Sequence, residues 1–380
     1  MLSHEGGRLR RPQAPTGTLR GREGGDNEKT FKKFVSFVEV WPRIIIFQTI
    51  ITFVIGYIWT FIFGLNLSSF FSLGFVLFVL IFISIKQNWW LLIFGLAFVC
   101  PWLYLVYFPI HWYIISPQVL TLTYLIIGIS IFLYGHLIEP HWIRVKQLSV
   151  PSTKFPDTLV FISDTQSDSF GYREKKTIDI IKNIKPKIIF HSGDIYNGTA
   201  TSNSKASKAA YRLLKEISAI APVYIVPGDH PMSIDEVKAL LKPLTNVTFL
   251  NNQKAKHILN KTSYEIIGLN RYAPETSLLA SKTDCDYRIV LSHTPSPWIQ
   301  AKHYPFDLMF CGHTHGGQLC LPFFGAFTSG TMLPRKFAYG LFQSQTATMY
   351  VTSGIGLEGL IAPKIRLFCR PEIIIIKGQK

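Results

Sequence analysis

Two stretches of this 380-residue chain hold no Asp, Glu, Lys or Arg: residues 44–85 and, after Lys86, residues 87–138. At 42 and 52 residues, each is long enough for two helical spans of about 20 residues, the length that crosses a hydrocarbon core. The arithmetic therefore predicts four transmembrane helices, near residues 44–63, 70–85, 89–108 and 119–138. Trp41, Trp89, Trp90, Trp112 and Trp142 fall near the expected ends, where an aromatic belt would put them. Lys29, Lys32, Lys33 and Arg43 precede the first span, Lys86 lies between the second and third, and Arg144 and Lys146 follow the fourth. By the positive-inside rule both termini then face the cytoplasm. The expectation is a multi-pass protein of the cytoplasmic (inner) membrane with the lipid bilayer as partner. Residues 1–40 would be a basic, disordered cytoplasmic tail, 41–146 the membrane region and 147–380 a domain facing the cytoplasm. A transport pathway is disfavoured, because His136, near one end, is the only ionisable residue inside the spans.

From Pro151 onward the texture changes. Strand-like apolar runs occur at 159–163, 187–192, 222–226, 247–250, 264–269, 288–292, 307–311, 349–353 and 365–377, with helical patterns at 173–184, 204–220 and 234–241. The last helix is opened by a Ser233-x-x-Glu236 capping box. Strand–helix alternation followed by mostly strands indicates a layered α/β domain. Five cysteines, odd in number and without a CxxC pair, suit a reducing compartment better than a disulfide framework. The net charge of +16 would attract anionic partners, but no nucleic-acid module is visible and no specific nucleic-acid partner is expected.

Polar residues gather where strands end. Asp164, Asp194, Asp229, His293, and His313 with His315 each follow an apolar run by a few residues. In open α/β sheets the carboxyl ends of adjacent strands converge on one edge, so these side chains have the ingredients of a dinuclear divalent-metal site. Singly, a Gly-Asp turn or a Ser-His-Thr-Pro run is ordinary loop sequence. Two imidazoles two residues apart at a strand end, followed by Gly-Gly, are hard to attribute to packing. His191, His257 and His303 read as structural or surface residues.

Asp164-Thr-Gln166, Gly193-Asp194-Ile-Tyr-Asn197, Gly228-Asp229-His230, Ser292-His293 and Gly312-His313-Thr-His315-Gly316-Gly317-Gln318 resemble, in order and spacing, the five motifs of the calcineurin-like metallophosphoesterases. With the apolar N-terminal half, the chain looks most like the bacterial transmembrane branch of that family. The resemblance implies a four-layer fold, two β-sheets packed face to face with helices outside, here preceded by the four-helix transmembrane region. It also implies two divalent ions, one held by Asp164, Gln166, Asp194 and His315, the other by Asp194, Asp229, His293 and His313. Asp194 would bridge them, a metal-activated water would attack phosphorus, and His230 would serve as general acid.

Four positions depart from the family pattern. Gln166 stands where a His ligand is usual, Asn197 where an Asp usually orients the catalytic His, Asp229 where an Asn is usual, and Pro231 where an acid often follows. The set loses one imidazole nitrogen and gains one anionic oxygen, which shifts the expected metal toward Mn²⁺, with Mg²⁺, Fe²⁺ or Zn²⁺ as alternatives. The leading expectation is a membrane-anchored phosphoesterase or pyrophosphatase acting on a phosphorylated, lipid-linked substrate such as UDP-2,3-diacylglucosamine. The alternative is a weak or inactive metallophosphoesterase-like binding protein.

Overall fold

The computed structural model describes residues 117–150, 155–197, 204–229, 234–326, 329–331, 333–358 and 364–377. Two six-stranded sheets dominate. The first contains β1 (Arg144–Leu148), β2 (Leu159–Ile162), β3 (Ile188–His191), β4 (Val223–Ile225), β5 (Val247–Phe249) and, from the end of the chain, β14 (Glu372–Ile376). The second contains β6 (Gln253–Leu259), β7 (Thr262–Gly268), β8 (Tyr287–Ser292), β9 (Leu308–Cys311), β12 (Gly340–Gln343) and β13 (Thr348–Val351). Between β9 and β12 the chain makes a small antiparallel hairpin, β10 (Cys320–Leu321) with β11 (Gly325–Ala326).

The strand order is β1-β14-β2-β3-β4-β5 in one sheet and β12-β13-β9-β8-β7-β6 in the other. Both sheets are mixed. The central pairs β2–β3, β3–β4, β7–β8 and β8–β9 run parallel, while β14–β2, β6–β7 and β12–β13 are antiparallel.

Side-chain alternation along the strands builds the layers. Leu159 and Phe161 of β2, Ile289 and Leu291 of β8, and Leu308 and Phe310 of β9 all enter one core between the sheets. Their neighbours point the other way. Val160 and Ile162 pack under the helices Tyr172–Ile184 and Lys205–Ser218, and Val290 and Met309 join a third cluster around Trp298 and Phe306. Because these parallel strands are buried on both faces, their sequences read as unbroken apolar runs. Each layer stabilises the next, and the result is a helix-flanked double sheet of the expected α/β kind.

The N-terminal expectation requires correction. The α-helix Pro117–Leu133 has 17 residues, a rise of about 25 Å, and it passes into a π-turn, Tyr134–Ile138, and a 3-10 turn, Glu139–His141. Among the described residues no helix is long and apolar enough to cross a membrane. The fourth expected span, 119–138, included the turn Tyr134–Ile138, whose Gly135 and His136 are tied to the segment 364–366. The Gly135 carbonyl accepts from Arg366 N–H at 2.8 Å, and the His136 ring lies 3.1 Å from the Lys364 carbonyl. The four-helix region, the bilayer partner and the multi-pass localisation drawn from that count are therefore unsupported. The tail 1–40 and the spans 44–63, 70–85 and 89–108 lie outside the described residues, as do His230, Pro231 and Ser233.

The same junction carries a buried acid. Glu139 is fully buried and its carboxylate accepts the backbone N–H groups of Phe368, at 2.9 Å, and Cys369, at 2.5 Å. Glu139→Ala would leave two backbone donors without an acceptor, so unfolding in urea should show a loss of roughly 2–4 kcal/mol. A change below about 0.5 kcal/mol, the range of ordinary surface substitutions, would mean that water replaces the carboxylate at no cost.

Candidate metal centre

β2, β3, β4, β8 and β9 all deliver their carboxyl ends to one edge of the double sheet, and the turns that follow carry the acidic and histidine side chains. These turns are conformationally unusual. Asp164, Gln166, Asp194, His313 and His315 all have positive φ, between 36° and 69°. For residues other than glycine this costs on the order of 1 kcal/mol or more each and persists only where surrounding contacts enforce it. Here backbone bonds do so: Asp164 N–H donates to the Gly193 carbonyl, Gln166 N–H to the Asp194 carbonyl, and both Asp164 carboxylate oxygens accept His313 N–H at 3.0 Å.

Glycine allows the turns to touch. A Cβ on Gly312 would lie 2.0 Å from Ser163 Oγ and 2.2 Å from Asp164 Oδ2, and one on Gly228 would lie 2.0 Å from Asp194 Oδ1. The close approach at Gly228 is what lets Asp229 N–H reach Asp194 Oδ1 at 2.6 Å.

Two overlapping groups of potential ligand atoms result: Asp164, Asp194 and His293, and Asp229, His293 and His313. His293 is common to both. Its Nδ1 lies 2.8 Å from the Ser192 carbonyl, which can only accept, so Nδ1 carries the hydrogen. Nε2 is then turned toward the carboxylates, 3.4 Å from Asp194 Oδ2 and 3.4 Å from Asp229 Oδ2, buried and without a hydrogen bond. His313 is arranged alike: Nε2 faces the Gly330 carbonyl at 3.0 Å and Nδ1 approaches Asp229 Oδ2 at 2.5 Å. Imidazoles that give one N–H to a backbone carbonyl and aim the other nitrogen at carboxylates are oriented as metal ligands are.

The electrostatics are those of a site built around positive charge. Burial, reinforced by Asp194 and opposed by His293, pushes the Asp164 carboxyl up to about 6. Burial would lower His293, but Asp194 and Asp229 outweigh it and hold the imidazole well above its ordinary range. Burial likewise works against the Asp229 carboxylate, yet His293 and His313 hold it far below the usual range. Without a metal ion, protonated imidazole is the cation that these acids can recruit. Divalent ions would displace that proton, and the donor set of carboxylates and imidazoles fits them.

The remaining expected residues are placed as follows. His315 is buried, with Nε2 4.0 Å from Asp164 Oδ1 and no partner on Nδ1; burial and the Arg366 charge lower it to about 3, so the ring is neutral. Gln166 turns its amide nitrogen toward Asp194 Oδ2, at 3.5 Å, and toward Glu358 Oε2, at 3.0 Å. Asn197 donates to the Leu357 carbonyl at 3.4 Å, and its buried Oδ1 has no partner among the described residues. His230 lies outside the described residues. His191 is fully buried beneath the site, accepts Gly193 N–H on Nδ1 and lies 3.3 Å from Thr165 Oγ1; burial lowers it to about 3.

Two site residues escaped the sequence reading. Arg271 binds Asp229 through Nε to Oδ1 and through Nη2 to Oδ2 at 3.1 Å, so the charge that Asp229 adds is offset inside the protein. Arg271 follows β7, another strand ending at the same edge, and that position was the available signal. It lines a cavity of about 220 Å³ with Tyr272, Asn270 and Asp194. Glu358, in the loop after β13, carried no such signal.

Comparison with known proteins agrees with this geometry. The calcineurin-like phosphoesterase family model matches residues 158–317. The uncharacterized metallophosphoesterase YkuE of Bacillus subtilis (strain 168) is 26% identical over 256 residues, covering 64% of this chain and 87% of that protein. The phosphodiesterase YaeI of Escherichia coli (strain K12) is 28% identical over 257 residues, covering 65% of this chain and 92% of that protein. The UDP-2,3-diacylglucosamine pyrophosphatase LpxG of Chlamydia muridarum (strain MoPn / Nigg) is 39% identical, but over only 97 residues, 28% of that protein. So short a match does not bring that lipid substrate to this chain, and neither the lipid-linked substrate nor the transmembrane-branch assignment is retained. With two candidate metal clusters at the strand ends and this likeness along the domain, the chain is a metallophosphoesterase, a hydrolase.

Proposed function

We propose that this enzyme hydrolyses a phosphodiester bond at a centre of two divalent ions, with Mn²⁺ the favoured metal. The observation that carries the reading is His293, whose buried Nε2 stands 3.4 Å from carboxylate oxygens of both Asp194 and Asp229. In this reading Asp164, Gln166, Asp194 and His315 hold one ion, and Asp194, Asp229, His293 and His313 hold the other. When bound, such ions polarise phosphoryl oxygens and lower the pKa of a coordinated water. The chain's own part is orientation. Ser192 and Gly330 fix two imidazoles through their carbonyls, His313 N–H steadies Asp164, and Asp229 N–H steadies Asp194. His230, directly after Asp229 in sequence, is the proposed general acid, and the unpartnered Asn197 Oδ1 is a candidate acceptor to orient it.

Oxygen donors from Asp164, Gln166, Asp194 and Asp229 favour Mn²⁺ over Zn²⁺. Likeness to YaeI along most of its length supports a diester rather than a monoester. The purified full chain should contain two ions per molecule and cleave a generic aryl phosphodiester. Chelation should abolish that activity, and Mn²⁺ should restore it better than Zn²⁺. One ion or none, or no hydrolysis with any divalent metal, would overturn the reading.

A further inference from the structure

The cavity beside the centre carries one cation. Its described lining residues include Asp194 and Asp229 and apolar side chains such as Ile225 and Val237, and Arg271 is the only Lys or Arg among them. A guanidinium offers five N–H donors on three nitrogens. Nε and Nη2 are spent on the two oxygens of Asp229. Nη1, with two N–H groups, has no hydrogen bond among the described residues, and the side chain is 22% exposed. An ion pair with Asp229 accounts for only part of what this arginine can bind.

The turn that presents Arg271 is fixed from within. Asn270 Oδ1 accepts the N–H groups of Tyr272 and Ala273, both at 2.8 Å. Asn270 N–H donates to Asn252 Oδ1 at 2.7 Å, and Asn270 Nδ2 donates to Asn251 Oδ1 at 2.6 Å. The Tyr272 hydroxyl donates to the Asp229 carbonyl at 3.2 Å, which ties the turn to the residue that Arg271 binds. The guanidinium carbon also lies 5.3 Å from the centre of the exposed Tyr272 ring. Held on Asp229 and against this ring, the guanidinium has little freedom left to lose when a ligand arrives.

Asp194 and Asp229 repel the anionic oxygens of a phosphodiester, and a permanently charged, planar guanidinium beside them is the group that matches such oxygens. We propose that Arg271 is a substrate-binding residue: Nη1 donates to a non-bridging phosphoryl oxygen while Nε and Nη2 stay on Asp229. The inference rests on the phosphodiesterase reading above and adds a protein contact to the phosphoryl group. Inorganic phosphate presents the same oxygens and should use the same contact.

The test measures two affinities by calorimetry on the full-length chain: Mn²⁺ on chelator-stripped protein, and inorganic phosphate at saturating Mn²⁺. In Arg271→Ala the Kd for phosphate should rise about tenfold or more, as for loss of a hydrogen bond to a charged group. The KM for the aryl phosphodiester should rise by a similar factor, and by more than kcat falls. Mn²⁺ affinity should hold or rise, because Asp229 loses a competing cation. Arg271→Met keeps the apolar stem without the charge, and it decides the matter if Arg271→Ala melts well below wild type. An arginine that only steadies Asp229 gives the reverse pattern, weaker Mn²⁺ binding with the phosphate Kd at saturating metal unchanged. An unchanged phosphate Kd overturns the inference and leaves the two-ion reading intact. Fewer than two ions in wild type overturn the two-ion reading alone, and the Arg271 contact still stands or falls on the phosphate Kd.

Discussion

Replacing Asp194 with asparagine should abolish hydrolysis and strip both ions from the protein. Two divalent ions held about 4 Å apart would repel by on the order of 15 kcal/mol at an effective dielectric constant of about 20, so a two-ion centre would need an anion that serves both. Asp194 is the acid suited to that place. One oxygen accepts Asp229 N–H at 2.6 Å, and the other faces His293 Nε2 at 3.4 Å and Gln166 Nε2 at 3.5 Å. Asparagine has nearly the same shape and can still accept from Asp229 N–H through its amide oxygen, so the turn should survive. What goes is the charge. Metal analysis and aryl phosphodiester hydrolysis on a variant of wild-type melting temperature decide the matter. Retention of two ions with activity within tenfold of wild type would remove Asp194 as the bridge.

The second large effect is steric. Gly228→Ala would set a Cβ 2.0 Å from Asp194 Oδ1, 2.3 Å from Asp194 N and 2.9 Å from Asp194 Cγ. Two of these atoms belong to the Asp194 carboxylate and one to backbone held in a left-handed turn, so relief requires parting the β3 and β4 turns. The expected cost is roughly 3 kcal/mol or more, with metal affinity falling with it, because the same displacement breaks the bond from Asp229 N–H to Asp194. Gly128→Ala is the control. Gly128 lies in the helix Pro117–Leu133 with nothing within 4 Å of an added Cβ, and alanine there should be neutral or stabilising by up to about 1 kcal/mol. Equal melting temperatures and equal metal content in the two variants would show that the turns are not packed as described.

The central strands were legible because they are buried on both faces. Runs such as Leu159–Ile162 and Leu308–Cys311 have no polar interruption until the chain turns at Asp164 or Gly312, so strand and candidate ligand were read together. Three of the four edge strands were not. β6, Gln-Lys-Ala-Lys-His-Ile-Leu, exposes Lys254 and Lys256, while β1, Arg-Val-Lys-Gln-Leu, turns Arg144 and Lys146 onto Tyr339 and exposes Val145 and Gln147, and it lay just beyond an apolar run that invited a membrane reading. Expected strand 365–377 shrinks to Glu372–Ile376 because Arg366, fully buried, spends its guanidinium on the carbonyls of Ser353, Gly356 and Cys369 and so bends the chain away from a ladder. Hydropathy could not separate a helix that crosses a bilayer from one whose end is tied to a folded domain. That distinction lies in pairings such as Gly135 with Arg366, more than 200 residues apart. Glu358 was unreadable for a related reason: it meets the site through Gln166, from another loop, and no local pattern encodes that contact.

The Glu139 carboxylate has a consequence beyond the junction it closes. It holds Cys369 N–H, and the Cys369 thiol donates in turn to the His315 carbonyl at 3.1 Å. A relay of three residues therefore joins the foot of the N-terminal helix to the turn that presents His315. In the language of local unfolding, the segment 134–141, the loop 364–370 and the His315 turn open as one cooperative unit, because none can leave without stranding a buried backbone group of the next. Any free energy that an ion contributes at His315 is accordingly shared by the peptide that leads into the domain.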